Sequence, residues 1–160
     1  MVNMLLNAAF CENLYRDLTK HEPTEENIAV CSMLIRDSKE LKANVEDILA
    51  IAWVESWFTA QLKPTRYNCV GPLQIKVQYW CEGKKLSTCD PFHDGVKAIK
   101  YYIKKFKPIN KAYCYYNNSK KKKCKAKYGY KTEYVKDVLS AKIKIKKLMK
   151  NKSFRNMFKN

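Results

Sequence analysis

The stretch AWVESWF, residues 52–58, places one carboxylate, Glu55, within a run of bulky apolar and aromatic residues. Removing a carboxylate from water is costly, and an unpaired buried carboxyl raises its pKa and keeps its proton. A carboxyl that is still protonated near neutral pH can act as a general acid. Glu55 is therefore the first candidate for a catalytic residue. The local pattern alone also allows a partly exposed or salt-bridged Glu at the edge of a packed helix.

A second carboxylate does not lie close to Glu55 in the sequence. Most glycosidases use two carboxyl groups. These groups lie about 5 Å apart when the second one acts as the nucleophile, and about 6.5–9.5 Å apart when it acts as the base that activates water. Residues 56–81 contain no Asp or Glu. Glu46 and Asp47 precede Glu55 by about 12–14 Å along one helix. Only tertiary folding could bring in one of the remaining acids, which are Glu82, Asp90, Asp94, Glu133 and Asp137.

Helical periodicity dominates the first third of the chain. It predicts a helix over residues 2–18 and a second helix capped by Thr24, with acidic residues in its first turn. Asn44 is the predicted cap of a third helix, VEDILAIAWVESWF, which carries Glu55 near its end. Because this helix is apolar almost all round beyond Ala50, we expect it to be central and buried.

The rest of the chain is also predicted to be mostly helical. Residues 62–75 contain two prolines and a glycine and indicate an irregular connection, with room for a small β-hairpin in residues 66–80. Further helices are predicted from Asp90 or Pro91 to Phe106, and from Pro108 to near Asn117. A last long helix is predicted from Thr132 to Lys150. The predicted fold class is mostly α in a single domain spanning residues 1–160.

Charge is unevenly distributed along the chain. Residues 1–60 hold 5 Lys or Arg against 10 Asp or Glu, whereas residues 61–160 hold 27 against 5. A basic half of this kind favours an anionic partner, which could be nucleic acid, a membrane surface or an acidic cell-wall polymer. The tail at 151–160 continues this pattern, and it allows either a basic amphipathic segment for membranes or a packed helix end with solvated lysines.

The seven cysteines form an odd set without a CxxC pair. Cys81, Cys89 and His93 could supply three metal ligands, but the first gap is wrong for the usual zinc spacings. We expect His93 to be a surface or capping residue and the thiols to be free, as in a chain made in a reducing cytosol. No metal or organic cofactor is predicted. The N-terminus lacks the basic start and the cleavage site of a standard signal peptide.

Four ordered segments resemble the soluble lytic transglycosylase family, relatives of goose-type lysozyme. They are ILAIAWVESWF, VGPLQI, AYCYYNNS and TEYVKDVL, within residues 45–145. The family pattern is a helix ending in Glu-Ser, a Gly-Leu-Met-Gln-Ile/Val segment, an Ala-Tyr-Asn-Ala-Gly segment and a Tyr-Val near the start of a late helix. This resemblance implies a lysozyme-like domain with N-terminal helices in 1–43, a transglycosylase-like core in 44–150 and a basic tail in 151–160.

The resemblance also implies roles for individual residues. Glu55 would be acid and then base, and Tyr134 would be the tyrosine that approaches it. Tyr116 is taken as the counterpart of the family tyrosine, with Tyr115 as the alternative. The implied substrate-binding residues are Ser56, Gly71, Gln74, Tyr116, Asn117 and Tyr134.

The implied reaction is cleavage of the MurNAc-β-1,4-GlcNAc bond of peptidoglycan with 1,6-anhydro-MurNAc ends. This reaction needs no second carboxylate, because the MurNAc C6 hydroxyl replaces water. A hydrolytic lysozyme is the close alternative, and a basic nucleic-acid-binding protein is the more distant one. The expected setting is a monomeric phage endolysin, made in the cytoplasm of a bacterial host and acting on the wall after release. A virion-borne wall hydrolase would look similar.

Overall fold

The computed structural model describes residues 2–117, 124–125 and 129–158. Helices make up 66% of it, with a small antiparallel sheet, so the predicted mostly α fold with a hairpin is confirmed. No helix in the described ranges is long and apolar enough to span a bilayer. The helices are α1 Val2–Thr19, α2 Glu25–Glu40, α3 Val45–Ser56, α4 Val77–Trp80, α5 His93–Lys105, α6 Ile109–Asn117 and α7 Glu133–Met149.

The predicted helix caps are confirmed. The Thr24 hydroxyl accepts the backbone N–H of Asn27 at 3.2 Å, and the Asn27 side chain accepts the Thr24 N–H at 2.9 Å. The Asn44 side chain accepts the Asp47 N–H at 3.0 Å at the start of α3. Such bonds satisfy N–H groups that have no partner inside the helix. Local sequence therefore determines where α2 and α3 begin.

Helix α3 lies at the centre of the core, as its apolar sequence predicts. Residues 48–52 are all buried, and the helix packs along α7 and against α2. Polar residues near its start also face neighbouring helices, since Asp47 is only 3% exposed. Because α3 is held on several sides, the backbone that carries Glu55 has little freedom to move.

The hairpin pairs β1, Cys69–Val70, with β2, Ile75–Lys76. The turn between these strands begins at Gly71, which has a φ of +81°. A side chain there would place its Cβ 2.5 Å from the Cβ of Pro91. Glycine is therefore required both for the backbone angle and for the close approach of the segment that leads into α5.

The expectation of free thiols is wrong for six of the seven cysteines. Disulfides join Cys11 to Cys31, Cys81 to Cys89 and Cys114 to Cys124, and only Cys69 keeps a free thiol. The Cα–Cα separations of 5.9, 4.6 and 5.8 Å suit disulfides. Tertiary packing of α1 on α2 creates the first pair, which sequence spacing could not show, whereas the other two pairs join cysteines only 8 and 10 residues apart. The alternative of a metal site formed by Cys81, Cys89 and His93 is excluded by the second pair.

The C-terminal segment returns to the first helix. It contains a 3-10 turn at Arg155–Phe158, and the rings of Phe154 and Phe158 pack on Phe10 with centroids 5.4 and 4.8 Å away. The apolar side of the described tail therefore contacts α1. The membrane role of residues 151–160 and the domain boundaries stay predictions.

Removing the Cys11–Cys31 disulfide should lower stability through the unfolded state. The bond closes a loop across 20 residues, and loop-closure entropy for that length is about 3 kcal/mol. We expect the double variant Cys11→Ala, Cys31→Ala to lose about this much unfolding free energy in a urea titration. The single variant Cys69→Ser is the control. Equal stability of the double variant and wild type would contradict the pairing.

Candidate active site

The turn that follows Glu55 is strained and is supported from another helix. After α3 ends, Trp57 and Phe58 both have positive φ, at 56° and 57°. Such angles cost about 1–3 kcal/mol for residues other than glycine. Asn27, which is 4% exposed, donates its side-chain amide to the carbonyls of Trp57 and Phe58 at 3.1 and 3.4 Å. The start of α2 thus holds the end of α3 and, with it, Glu55.

Glu55 is partly buried, and its environment favours the neutral carboxyl. Burial is the largest effect and raises its pKa to about 7. The hydroxyl of Tyr134, near the start of α7, donates to Glu55 Oε1 at 2.7 Å and opposes this shift. Burial also raises the pKa of Tyr134 well above its ordinary value, so this hydroxyl keeps its proton. Glu55 can therefore exist in both protonation states near neutral pH.

Glu55 opens into a groove of about 570 Å³. Tyr67 and Tyr79 in this groove are 65% and 68% exposed. The Arg66 guanidinium lies over one face of the Tyr67 ring, 4.7 Å from its centroid, and the remaining exposed aromatic surface can stack on a ligand. Aromatic faces of this kind suit the apolar faces of sugar rings as well as other planar groups. The other lining residues are Thr65, Cys69, Gln74, Ile75, Lys76, Trp80, Tyr102, Tyr116 and Asn117.

The structure brings together most of the residues that the sequence singled out. Gln74, Tyr116 and Asn117 line the groove with Glu55, and Tyr134 bonds Glu55 directly. Tyr116, not Tyr115, is the groove tyrosine of α6. Its hydroxyl donates to the carbonyl of Leu73 in the hairpin turn. Tyr115 instead stacks on Phe106, with ring centroids 4.6 Å apart.

Ser56 and Gly71 do not line the groove. Ser56 is 7% exposed, and its hydroxyl donates to the Ala52 carbonyl at 3.0 Å within α3. Gly71 is buried in the hairpin turn against Pro91. Its carbonyl accepts the side-chain amide of Gln74 at 2.9 Å, so the turn positions the groove residue that follows it.

A buried polar contact ties together the three helices that carry the site. Asp47 of α3 accepts the hydroxyl of Tyr113 from α6 at 2.5 Å, and it also pairs with Lys142 of α7. The Lys142 ammonium group lies 3.3 Å from the Tyr113 hydroxyl and donates to it. The same helices carry Tyr116 and Tyr134, so this contact helps to fix both tyrosines relative to Glu55. Sequence reasoning missed this contact because it joins distant segments.

Glu55 is the single acidic residue among the described residues that line the groove. Asp90 accepts the backbone N–H groups of Phe92 and His93 at 3.2 and 3.1 Å, at the start of α5. Asp94 accepts the N–H of Asp90 at 3.1 Å and pairs with Lys97 at 3.3 Å. These two acids are thus engaged in starting α5.

The other candidate acids have different surroundings. Glu133 pairs with Lys136 at 2.5 Å on the exposed first turn of α7. Asp137 lies beside Trp57 in a separate cleft of about 280 Å³, and Glu82 lies in an exposed 3-10 turn. None of the three lines the groove in the described part of the chain.

Comparison with known proteins identifies no relative. No family model matches the chain, and no curated protein or solved structure is similar enough to count as a match. The chemical interpretation of the groove therefore depends on its geometry and on the four sequence segments.

The protonation of Glu55 can be measured directly. In a ¹³C NMR titration we expect its carboxyl to titrate with a pKa of about 7, against an ordinary value of 4.5. The Tyr134→Phe variant should titrate at higher pH, because it removes the hydrogen bond that stabilises the carboxylate. Tyr130→Phe serves as the control. A carboxyl that titrates near 4.5, or a pKa that falls in Tyr134→Phe, would contradict this account of the site.

Proposed function

We propose that this protein is a lytic transglycosylase that cleaves the MurNAc-β-1,4-GlcNAc bond of peptidoglycan. The observation that carries the proposal is Glu55, whose pKa is raised to about 7 and which is the single described acid of an aromatic groove. A two-carboxylate mechanism requires a second acid within about 10 Å. A mechanism that reuses one carboxyl has no such requirement, and it fits the groove better.

In the proposed reaction, Glu55 acts in two successive steps. The protonated carboxyl first gives its proton to the glycosidic oxygen, and the bond from that oxygen to C1 of MurNAc breaks. The resulting carboxylate then takes the proton of the MurNAc C6 hydroxyl while that oxygen bonds to C1. The products are a free GlcNAc 4-hydroxyl and a 1,6-anhydro-MurNAc end, and Glu55 regains its proton. Atoms and charge balance without water.

The groove supplies the other requirements of this reaction. Its volume of about 570 Å³ is within the usual range for binding sites. Exposed tyrosine side chains can stack on sugars, and Gln74, whose amide NH2 is held by the Gly71 carbonyl, lines the groove with its amide oxygen as an acceptor for sugar hydroxyls. Tyr134 holds the carboxyl in place and stabilises its charged form, which is the form needed in the second step.

Hydrolysis of the same bond is the alternative outcome. It would require water to reach C1 in place of the C6 hydroxyl, with Glu55 as its base or another acid moving in. Of the candidate acids, Asp90 and Asp94 are bonded at the start of α5, and Glu82 lies in an exposed 3-10 turn outside the groove. This arrangement favours the transglycosylase outcome over the lysozyme outcome.

The charge distribution supports an anionic wall as the binding partner. Residues 61–160 carry 27 Lys or Arg against 5 Asp or Glu. Such a surface would concentrate the enzyme on an anionic cell wall or outer membrane. Three disulfides favour action outside a reducing cytosol, which suits a phage endolysin that acts after release or a virion-borne enzyme. Nucleic acid remains the alternative anionic partner.

Mass spectrometry of fragments released from purified peptidoglycan separates these functions. We expect fragments that end in 1,6-anhydro-MurNAc, because the C6 hydroxyl replaces water in the reaction. Fragments heavier by one water, with reducing MurNAc ends, would identify a hydrolase instead. Absence of fragments, with salt-sensitive binding to DNA, would favour the nucleic-acid-binding alternative.

The Glu55→Gln variant should lose nearly all turnover, since a general acid contributes typically 10²–10⁴-fold. Glutamine keeps the size of the side chain but cannot donate or accept the proton. Asp137→Asn is the control, because Asp137 lies outside the groove. A Glu55→Gln variant with most of its activity would exclude the proposed role.

The kcat/KM of the wild type should also fall above pH 7, because Glu55 loses the proton that it gives in the first step.

A further inference from the structure

A second group of chemically active side chains lies where the end of α2 meets the start of α5. One carboxylate oxygen from each of Asp37 and Glu40 and one ring nitrogen of His93 lie within 4.8 Å of one another. The two acids are three residues apart on one face of α2, and His93 is the first residue of α5. None of the three lines the groove of Glu55.

One carboxylate oxygen of Asp37 is buried without a hydrogen-bond partner in the described part of the chain. Asp37 is 2% exposed. Its Oδ1 accepts the side-chain N–H groups of Arg36 at 2.9 and 2.8 Å, whereas its Oδ2 is buried without a hydrogen-bond partner in the described part of the chain. Leaving a buried carboxylate oxygen unpaired is costly, and a bound cation is one of the few groups that relieves this cost.

The backbone around the three side chains is held by other contacts. The Lys100 ammonium group of α5 donates to the Leu41 carbonyl just after α2, at 2.6 Å. Asp90 accepts the backbone N–H of His93 at 3.1 Å, which fixes the first turn of α5. The two helix ends therefore meet without help from the side chains of Asp37, Glu40 and His93. The backbone of a site between them is therefore already in place, and only side chains would have to adjust.

We propose that Asp37, Glu40 and His93 bind a divalent transition-metal cation, with zinc as the best fit. Imidazole nitrogen favours zinc over magnesium or calcium, and three protein ligands leave a fourth position for water. Zinc ligands at about 2.1 Å from the metal lie about 3.4 Å apart in a tetrahedron. The three ligand atoms lie up to 4.8 Å apart, so they must come closer by up to about 1.4 Å; the exposed side chain of Glu40 and the half-buried side chain of His93 can make this adjustment.

A cation at this position would act on structure and not on the proposed reaction. It would join the end of α2 to the start of α5. That start packs on the hairpin turn, since Pro91 lies against Gly71 and Gly95 lies against Leu73. Metal binding should therefore stabilise the segment that leads to Gln74, without touching Glu55. The inference does not depend on the proposed function.

Zinc binding can be tested by calorimetric titration of the oxidised protein with zinc chloride. All samples carry Cys69→Ser, because a free thiol is itself a strong zinc ligand. We expect one zinc per chain and a rise in Tm of roughly 3–6 °C when free zinc is ten times its Kd. Magnesium should give no such rise at the same concentration.

Two further variants and a matched control locate the site. His93→Ala and Glu40→Gln should each weaken zinc binding at least about tenfold, while their Tm without metal stays close to that of the parent protein. His21→Ala removes the other histidine of the chain and should leave zinc binding unchanged. The proposal is overturned if the parent protein binds no zinc up to millimolar concentration. It is also overturned if His93→Ala binds zinc as tightly as His21→Ala does.

Discussion

The cost of withdrawing a carboxyl from water is the constraint on which the site depends. Burial raises the pKa of Glu55 to about 7, and the hydrogen bond from Tyr134 offsets part of the penalty for its ionised form. Neither effect would last if α3 and α7 could separate. The buried contact of Asp47 with Tyr113 and Lys142 resists such a separation, because breaking it would leave a buried charge without a partner.

Helix α3 serves both the core and the groove, and this double role explains the strain at its end. Its middle is buried on all sides, so the chain must turn sharply once Glu55 has reached the groove. Trp57 and Phe58 adopt positive φ there, and Asn27 stabilises the turn through their carbonyls. Asn27 thus completes the cap of α2 and also holds the end of α3.

Local patterns predicted the parts of the structure that local chemistry determines. The caps at Thr24 and Asn44 and the burial of α3 follow from side chains close in sequence. The Cys11–Cys31 disulfide and the proximity of His93 to Asp37 and Glu40 depend on where separate helices meet, and no spacing rule describes such meetings. The contact of Asn27 with the end of α3 could not be predicted either, because the sequence shows Asn27 three residues after the Thr24 cap but not its burial.

A single carboxyl that must give a proton and then take one is best served by a pKa near the working pH. A lower pKa would weaken Glu55 as the acid of the first step, and a higher pKa would slow its ionisation in that step. Burial and the Tyr134 hydrogen bond act in opposite directions on this pKa, and the second depends on the packing of α7 on α3. The Tyr134→Phe variant should therefore have a higher Glu55 pKa, and proton transfer from Glu55 to the leaving oxygen should be slower. The proposed reaction thus requires the hydrogen bond from Tyr134 as much as the burial of Glu55.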